Sequence, residues 1–163
     1  MKNLWGEPYH ITLGIKNEKC KILKLMKDLG IQQFKVKDIR GINGGLVRHL
    51  VELPLNEIKR IPKERVNKIV KLTKGSAAWI ESEGCDVCNA ILSHGSFLVS
   101  GRNIQNSVIL YSFIAPSFDA YKSIVSALKS NNFKVKILRM WLALKQAFFD
   151  YPKKLMQLNF RID

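Results

Sequence analysis

The sequence predicts an α+β fold in which one group of strands and helices is followed by a second, similar group. The hydrophobic period changes several times before residue 140 between two residues, typical of strands, and three to four residues, typical of helices. The order of the predicted elements is largely repeated on the two sides of a strand near the middle of the chain. With 47% hydrophobic content, 163 residues suffice for one domain or for two small units with a shared core.

The first group has the order strand, helix, strand, strand, helix, strand. Its predicted strands cover residues 9–15, 33–40, 46–53 and 76–82. Asn17 is a plausible N-cap for the first helix, which stops at Gly30. The glycine-rich loop at 41–45 joins two strands as a hairpin does. Pro62 fits the first turn of the second helix.

The second group repeats this order without its first strand. A short helix over 85–93 precedes strands at 96–102 and 107–114, and a long helix with Ser117 as N-cap leads to a last strand at 134–140. The predicted order is therefore βαββαβ followed by αββαβ, with the central strand shared. This is a tandem ferredoxin-like arrangement.

Paired units of this kind, including the ACT type, commonly bind small molecules or partner subunits at sheet edges and helix interfaces. We therefore interpret residues 1–140 as a tandem ferredoxin-like regulatory or sensor domain that takes a small-molecule ligand. Exposed sheet edges also predict a homodimer.

The net charge of +14, from 27 Lys and Arg against 13 Asp and Glu, favours a polyanionic partner such as nucleic acid. The densest basic cluster lies on the helix predicted after Pro62, whose inward face carries Val66, Ile69 and Val70. Its basic residues are Lys59, Arg60, Lys63, Arg65, Lys68 and Lys71. They form either a phosphate-contacting face or an ordinary solvated helix surface.

Several functional classes are disfavoured. No apolar run approaches the roughly 20 residues that span a bilayer, and the first residues lack the layout of a signal peptide. Three cysteines, an odd number, argue against a secreted disulfide framework, so we expect a cytoplasmic protein without a membrane partner. His10, His49 and His94 are scattered, and the glycine-rich loop leads from strand to strand rather than into a helix, so we expect no nucleotide hydrolysis and no enzyme.

Cys85 and Cys88 admit three interpretations. They are small apolar side chains at the start of a helix, or half of a metal site completed by His94 and further ligands, or a thiol switch. A thiol at a helix N-terminus has a stabilised thiolate, and Cys85 is placed for that. Zinc is not favoured, because a strong zinc signature shows a second ligand pair. Cys20 lies on the apolar stripe of the first helix and is interpreted as a buried hydrophobic residue.

The segment from Trp141 is helix-like and ends in an aromatic, acidic and basic motif. The motif residues are Phe149, Asp150, Tyr151, Pro152, Lys153 and Lys154. This motif resembles the end of the first helix in the C-terminal helix-turn-helix of archaeal transcription regulators of the bacterio-opsin activator type. Residues 83–88, 97–102 and 112–117 resemble the regulatory region of crenarchaeal members. Phe148 departs from the family, which has glycine there, and the chain stops at Asp163, before a recognition helix.

The resemblance implies a transcriptional regulator that senses a ligand or partner, with a truncated helix-turn-helix remnant at 141–163. Lys153 and Lys154 would then contact nucleic acid. Because a recognition helix is missing, we expect weak or non-specific DNA binding by this chain alone, and a homodimer or a mixed dimer with a full-length relative. The alternatives are a basic nucleic-acid-binding module without a recognition helix, and a small thiol- or metal-dependent enzyme.

Overall fold

A computed structural model describes residues 7–42, 45–72 and 76–143. Within these ranges the chain forms eight strands in two four-stranded antiparallel sheets and four helices, so the predicted α+β class is confirmed. The strands are β1 (Tyr9–Lys16), β2 (Lys35–Gly41), β3 (Leu46–Glu52), β4 (Lys68–Lys71), β5 (Ala77–Glu83), β6 (Phe97–Gln105), β7 (Val108–Ala115) and β8 (Val135–Leu142). The helices are α1 (Lys21–Asp28), α2 (Leu55–Ile58), α3 (Asp86–Leu92) and α4 (Phe118–Ser130).

The first sheet, which we call sheet A, joins the two ends of the described chain. Its strand order is β6-β7-β1-β8, and β1 pairs antiparallel with both β7 and β8. Burial on both faces of β1 suits this central position, because Ile11, Leu13 and Ile15 on one face are completely buried and so is Thr12 on the other. Helices α3 and α4 contact each other, and they contact β6 and β7–β8 respectively.

The second sheet, sheet B, has the order β2-β3-β5-β4 and is formed entirely by the chain between α1 and α3. The expected consecutive units are therefore not what is observed. Strand β5, which we expected to be shared, pairs only with β3 and β4, and β1 pairs with the C-terminal strands instead. Hydrophobic alternation fixes which face of a strand is buried but not its partner, so the sequence pattern did not reveal this long-range pairing.

The two sheets share one hydrophobic core, which contains buried residues of β1 and β7 as well as of β2, β3 and β5. They approach each other closely at Gly101 of β6, where a Cβ atom would stand 2.7 Å from Ile39 Cδ1 of β2. At Gly41 of β2, a Cβ atom would stand 2.9 Å from Leu92 Cδ2 of α3. Glycine at these positions lets the backbone of one layer meet the side chains of the other.

The prediction of a basic helix after Pro62 is wrong. That part of the chain consists of α2, a 3₁₀ turn over Lys63–Arg65 and strand β4. The β-branched residues Ile69 and Val70, expected on the inward face of a helix, pair instead with β5. Pro62 and the preference of β-branched side chains for extended backbone explain this difference.

The long helix α4 is confirmed, and the Ser117 hydroxyl accepts a hydrogen bond from the backbone N–H of Ala120 at 3.1 Å. Strand β8 continues through Trp141 and Leu142, so these residues do not begin the predicted helical tail. The remainder of the predicted helix-turn-helix remnant, including Phe149, Asp150, Tyr151, Pro152, Lys153 and Lys154, lies outside the described residues. No helix in the described ranges is long and apolar enough to cross a membrane.

Candidate thiol site

The structure brings all three cysteines to one place between the starts of two helices. Cys20 immediately precedes α1, Cys85 immediately precedes α3, and Cys88 lies in the first turn of α3. The three are free thiols. Cys85 is close enough to both other cysteines that Cys88 affects the pKa of Cys85, and charge on Cys85 affects the pKa of Cys20. Our interpretation of Cys20 as a buried hydrophobic residue is confirmed, because it is 1% exposed within the core, but its position beside Cys85 was not predicted.

The Asn17 side chain lies between Cys85 and Tyr111. It is completely buried and is not the helix N-cap that we expected, since Cys20 occupies that position. Its Nδ2 donates hydrogen bonds to the Tyr111 hydroxyl at 2.9 Å and to the Cys85 sulfur at 3.3 Å, while its Oδ1 accepts from the backbone N–H of Lys19 at 3.2 Å. An amide donor directed at a sulfur stabilises the thiolate over the thiol.

The environment of Cys85 lowers its pKa from 9.0 to about 6. The largest cause is the hydrogen bond donated by the Cys88 thiol, which outweighs the opposing effect of burial. The backbone N–H groups of Cys88 and Val87 and the side chain of Asn17 lower the pKa further. Cys85 is therefore predominantly a thiolate near neutral pH, which is the nucleophilic form of cysteine.

The other two cysteines remain protonated. The hydrogen bond to Cys85, followed by burial, raises the pKa of Cys88 well above 9.0. Burial raises the pKa of Cys20 to about 12. Burial likewise keeps the Tyr111 hydroxyl neutral by raising its pKa. One thiolate is thus surrounded by neutral hydrogen-bonding groups.

Solvent access separates the three thiols in the same way. Cys20 and Cys88 are each 1% exposed, whereas Cys85 is only half-buried. A reagent from solution therefore meets Cys85 first. The partly exposed cysteine with the low pKa precedes a buried cysteine with a high pKa, and this is the asymmetry that a reactive and a resolving thiol require.

Gly84 and Asn89 position the turn that carries Cys85. Asn89 Nδ2 donates to the Gly84 carbonyl at 3.0 Å, and the Asn89 backbone N–H donates to the Cys85 carbonyl at 2.9 Å. A Cβ atom at Gly84 would lie 2.8 Å from Asn89 Oδ1 and 3.0 Å from Val47 Cγ2. The turn therefore sits against β3 without room for a side chain.

His94, the third residue of the hypothetical metal site, is not brought to the cysteines. It follows the C-terminal end of α3, where its Nδ1 lies 2.7 Å from the Ala90 carbonyl, whereas Cys85 precedes the opposite end of this helix. Within the described ranges, no three His, Cys, Asp or Glu residues are arranged to hold a metal ion. The spacing of Cys85, Cys88 and His94 in the sequence suggested a metal site, but α3 holds His94 at the opposite end from the cysteines.

The predicted basic cluster divides into two sets. Arg60 is paired with Glu57 and donates to the Leu29 carbonyl, and Arg65 is paired with Asp28 at 3.0 Å, so both arginines hold α1 against this segment. The lysines of the cluster, Lys59, Lys63, Lys68 and Lys71, instead line one cavity beside β4. Lys153 and Lys154 lie outside the described residues.

Sequence reasoning identified Cys85 and Cys88 but missed Asn17 and Tyr111. Tyr111 is a polar side chain within the otherwise apolar β7, whereas Asn17 stands among charged residues after β1, where the sequence does not mark it as part of a site. Comparisons with models of known protein families and with curated proteins found no match for this chain.

Proposed function

We propose that this chain is a thiol-responsive regulatory domain in which Cys85 is the reactive nucleophile and Cys88 its resolving partner. The observation that supports this most directly is the geometry at the start of α3, where the half-buried Cys85 accepts a hydrogen bond from Asn17 Nδ2 at 3.3 Å and stands three positions before the buried thiol of Cys88. Residues at positions i and i+3 of a helix start lie on the same face, so the two sulfurs are suitably placed for a bond between them.

The reaction proceeds in two balanced steps. The Cys85 thiolate attacks one oxygen of hydrogen peroxide, the O–O bond breaks, and with one proton from solvent the products are a sulfenic acid and water. The Cys88 thiol then attacks the Cys85 sulfur, forming the S–S bond, and its proton leaves with the hydroxyl group as a second water. Cys85 and Cys88 are together oxidised by two electrons, and a dithiol reductant reverses the change.

The position of the site favours a regulatory role over catalysis. Cys85 contacts Asn17 in the connection between β1 and α1, and Asn17 contacts Tyr111 in β7, so a change at one sulfur is transmitted to both α1 and sheet A. The strand order of sheet A, with α3 and α4 packed on it, is compatible with a ferredoxin-like unit that binds ligands or partners. The motif at residues 149–154 supports a role in transcriptional control.

The test is an oxidation experiment on the full chain. Reduced protein is treated with a small excess of hydrogen peroxide, and the products are identified by intact mass and by mapping of peptides. We expect a Cys85–Cys88 disulfide that dithiothreitol reduces. Cys88→Ser should instead accumulate a sulfenic acid on Cys85 that dimedone traps, and Cys20→Ser should behave as the wild type. Oxidation that involves Cys20, or that leaves Cys85 intact, would refute the proposal.

We further propose that the domain acts as a homodimer, because strands β8 and β4 each end a sheet. Light scattering of the reduced and the disulfide form at micromolar concentration tests this. A monomer in both forms would exclude the dimer.

A further inference from the structure

A cavity of about 460 Å³ lies between β4 and the segment that follows α2. Four lysines are among the residues that line it, Lys59, Lys63, Lys68 and Lys71. Its apolar lining comes from Ile58 and Ile61, which are 2% and 5% exposed, and from the half-buried Val66 and Ile69. The volume falls within the range of about 300–1,000 Å³ that small-molecule pockets occupy.

The charge of this cavity is uncompensated. None of the four lysines forms an ion pair with a described residue, and no acidic side chain is among those that line the cavity. The nearby carboxylate of Glu57 is engaged by Arg60. Four like charges around one opening repel each other, and an anion that enters lowers this repulsion.

The adjacent arginines explain how the cavity keeps its shape. Arg60 and Arg65 connect the segment between α2 and β4 to α1 through the Leu29 carbonyl and Asp28. Their side chains are therefore used to hold this wall of the cavity against α1, while the lysines remain available to bind a ligand. This division of the basic residues is not visible in the sequence, where all six lie within thirteen consecutive positions, 59–71.

We propose that this cavity binds a small organic anion with an apolar body, a carboxylate or a phosphate monoester. The apolar part would contact Val66 and Ile69, which are only half-buried, and the anionic group would accept charge-assisted hydrogen bonds from the lysines. A nucleic acid strand fits the cavity less well. The lining contains no aromatic side chain on which a base could stack, and the arginines of the cluster are already engaged.

Isothermal titration calorimetry of the full chain tests this, with octanoate and octyl phosphate as the two anionic probes. Octanol serves as the uncharged probe and inorganic phosphate as the anion without an apolar body. We expect at least one of the two amphipathic anions to bind clearly more tightly than octanol and inorganic phosphate. The double variant Lys63→Gln/Lys68→Gln should weaken that binding by about tenfold or more, because two charged donors are lost.

The matched control is Lys129→Gln/Lys134→Gln, which removes two exposed positive charges that do not line the cavity and should leave affinity unchanged. Circular dichroism verifies that each variant is folded. The proposal is overturned if octanol binds as tightly as the anions, if the double variant binds them as the wild type does, or if a short single-stranded oligonucleotide uses these lysines while neither anion binds. Cys85→Ser should bind the anion normally, so this result is independent of the thiol site.

Discussion

Asn17 and Cys85 are separated by 68 positions in the chain, yet the Asn17 Nδ2 donates a hydrogen bond to the Cys85 sulfur at 3.3 Å. The same nitrogen donates to the Tyr111 hydroxyl at 2.9 Å. One buried amide therefore joins the end of β1, the start of α3 and the middle of sheet A. Because the thiol site is built on contacts between distant segments, its reactivity and the stability of the fold are linked.

The reactivity of Cys85 should follow its own ionisation. With a pKa lowered to about 6, Cys85 is largely deprotonated above that pH, so its alkylation by iodoacetamide should increase with pH up to a plateau, with a midpoint near pH 6. Cys88→Ala removes the largest cause of the lowered pKa and should move the midpoint toward 9.0. Mass spectrometry of samples in which the alkylation has been stopped gives the pH dependence of the rate for both proteins. A wild-type midpoint at the ordinary thiol pKa would contradict this assignment.

Replacing Asn17 by alanine should affect both stability and reactivity. The Tyr111 hydroxyl and the Cys85 sulfur each lose a donor, and the cost of leaving buried polar groups unsatisfied is about 1–3 kcal/mol in the free energy of unfolding. The pKa of Cys85 should also rise. Urea unfolding and the alkylation profile measure these two effects.

Tyr111→Phe provides the control for this change. It removes the hydroxyl that Asn17 contacts but retains the bond from Asn17 to Cys85. We expect it to lower the free energy of unfolding with little change in the Cys85 midpoint. If Tyr111→Phe and Asn17→Ala shift the midpoint equally, the amide does not act directly on the sulfur.

The sequence predicted the parts of this structure that depend on local pattern. Helix α4 begins at Ser117 as expected, because a hydroxyl at the N-cap satisfies a free N–H whatever the rest of the fold does. The partner of β1 was not predictable in this way, since its pairing with β7 joins positions such as Thr12 and Ser112 that are a hundred residues apart. The thiol site could be predicted only in part for the same reason. Cys85 and Cys88 are close in the sequence, whereas Asn17 and Tyr111 come near them only when distant segments of the chain fold together.

His49 should make the fold sensitive to moderate acid. It is 4% exposed, and burial lowers its pKa from 6.5 to about 4. Between these two pH values the unfolded chain binds a proton that the folded chain does not. The free energy of unfolding therefore decreases as pH falls through this window, by roughly 3 kcal/mol at about 1.4 kcal/mol per pKa unit.

The variant His49→Leu isolates this effect, because leucine fills a similar volume and does not titrate. Urea unfolding of both proteins should show that the wild type loses more stability than the variant between pH 6.5 and pH 4. Carboxylates titrate in both proteins and cancel in the difference. Parallel curves for the two proteins would show that His49 is protonated equally in both states.

Gly101 should tolerate no side chain. A Cβ there would stand 2.7 Å from Ile39 Cδ1 and 2.9 Å from Ile39 Cβ, so β2 or β6 must shift. Overpacking of this kind costs about 1–3 kcal/mol, and we expect Gly101→Ala to lower the free energy of unfolding by that amount. The double variant Gly101→Ala/Ile39→Val should recover part of it by removing the closest atom. An Ala variant as stable as the wild type would mean that the two sheets are less closely packed.

Binding to DNA should be non-specific and strongly dependent on salt. The chain carries a net charge of +14, so phosphate neutralisation releases counterions and the logarithm of the affinity should fall linearly with the logarithm of the salt concentration. Gel shifts of promoter and shuffled sequences across a salt series measure this. Lys63→Gln/Lys68→Gln should reduce the slope only if these lysines contact phosphate, and Lys129→Gln/Lys134→Gln serves again as the matched change in charge. Base readout requires side chains placed in a groove, so a preference of about a hundredfold for one sequence, or about 2.7 kcal/mol, would reveal a reading element that we do not assign to this chain.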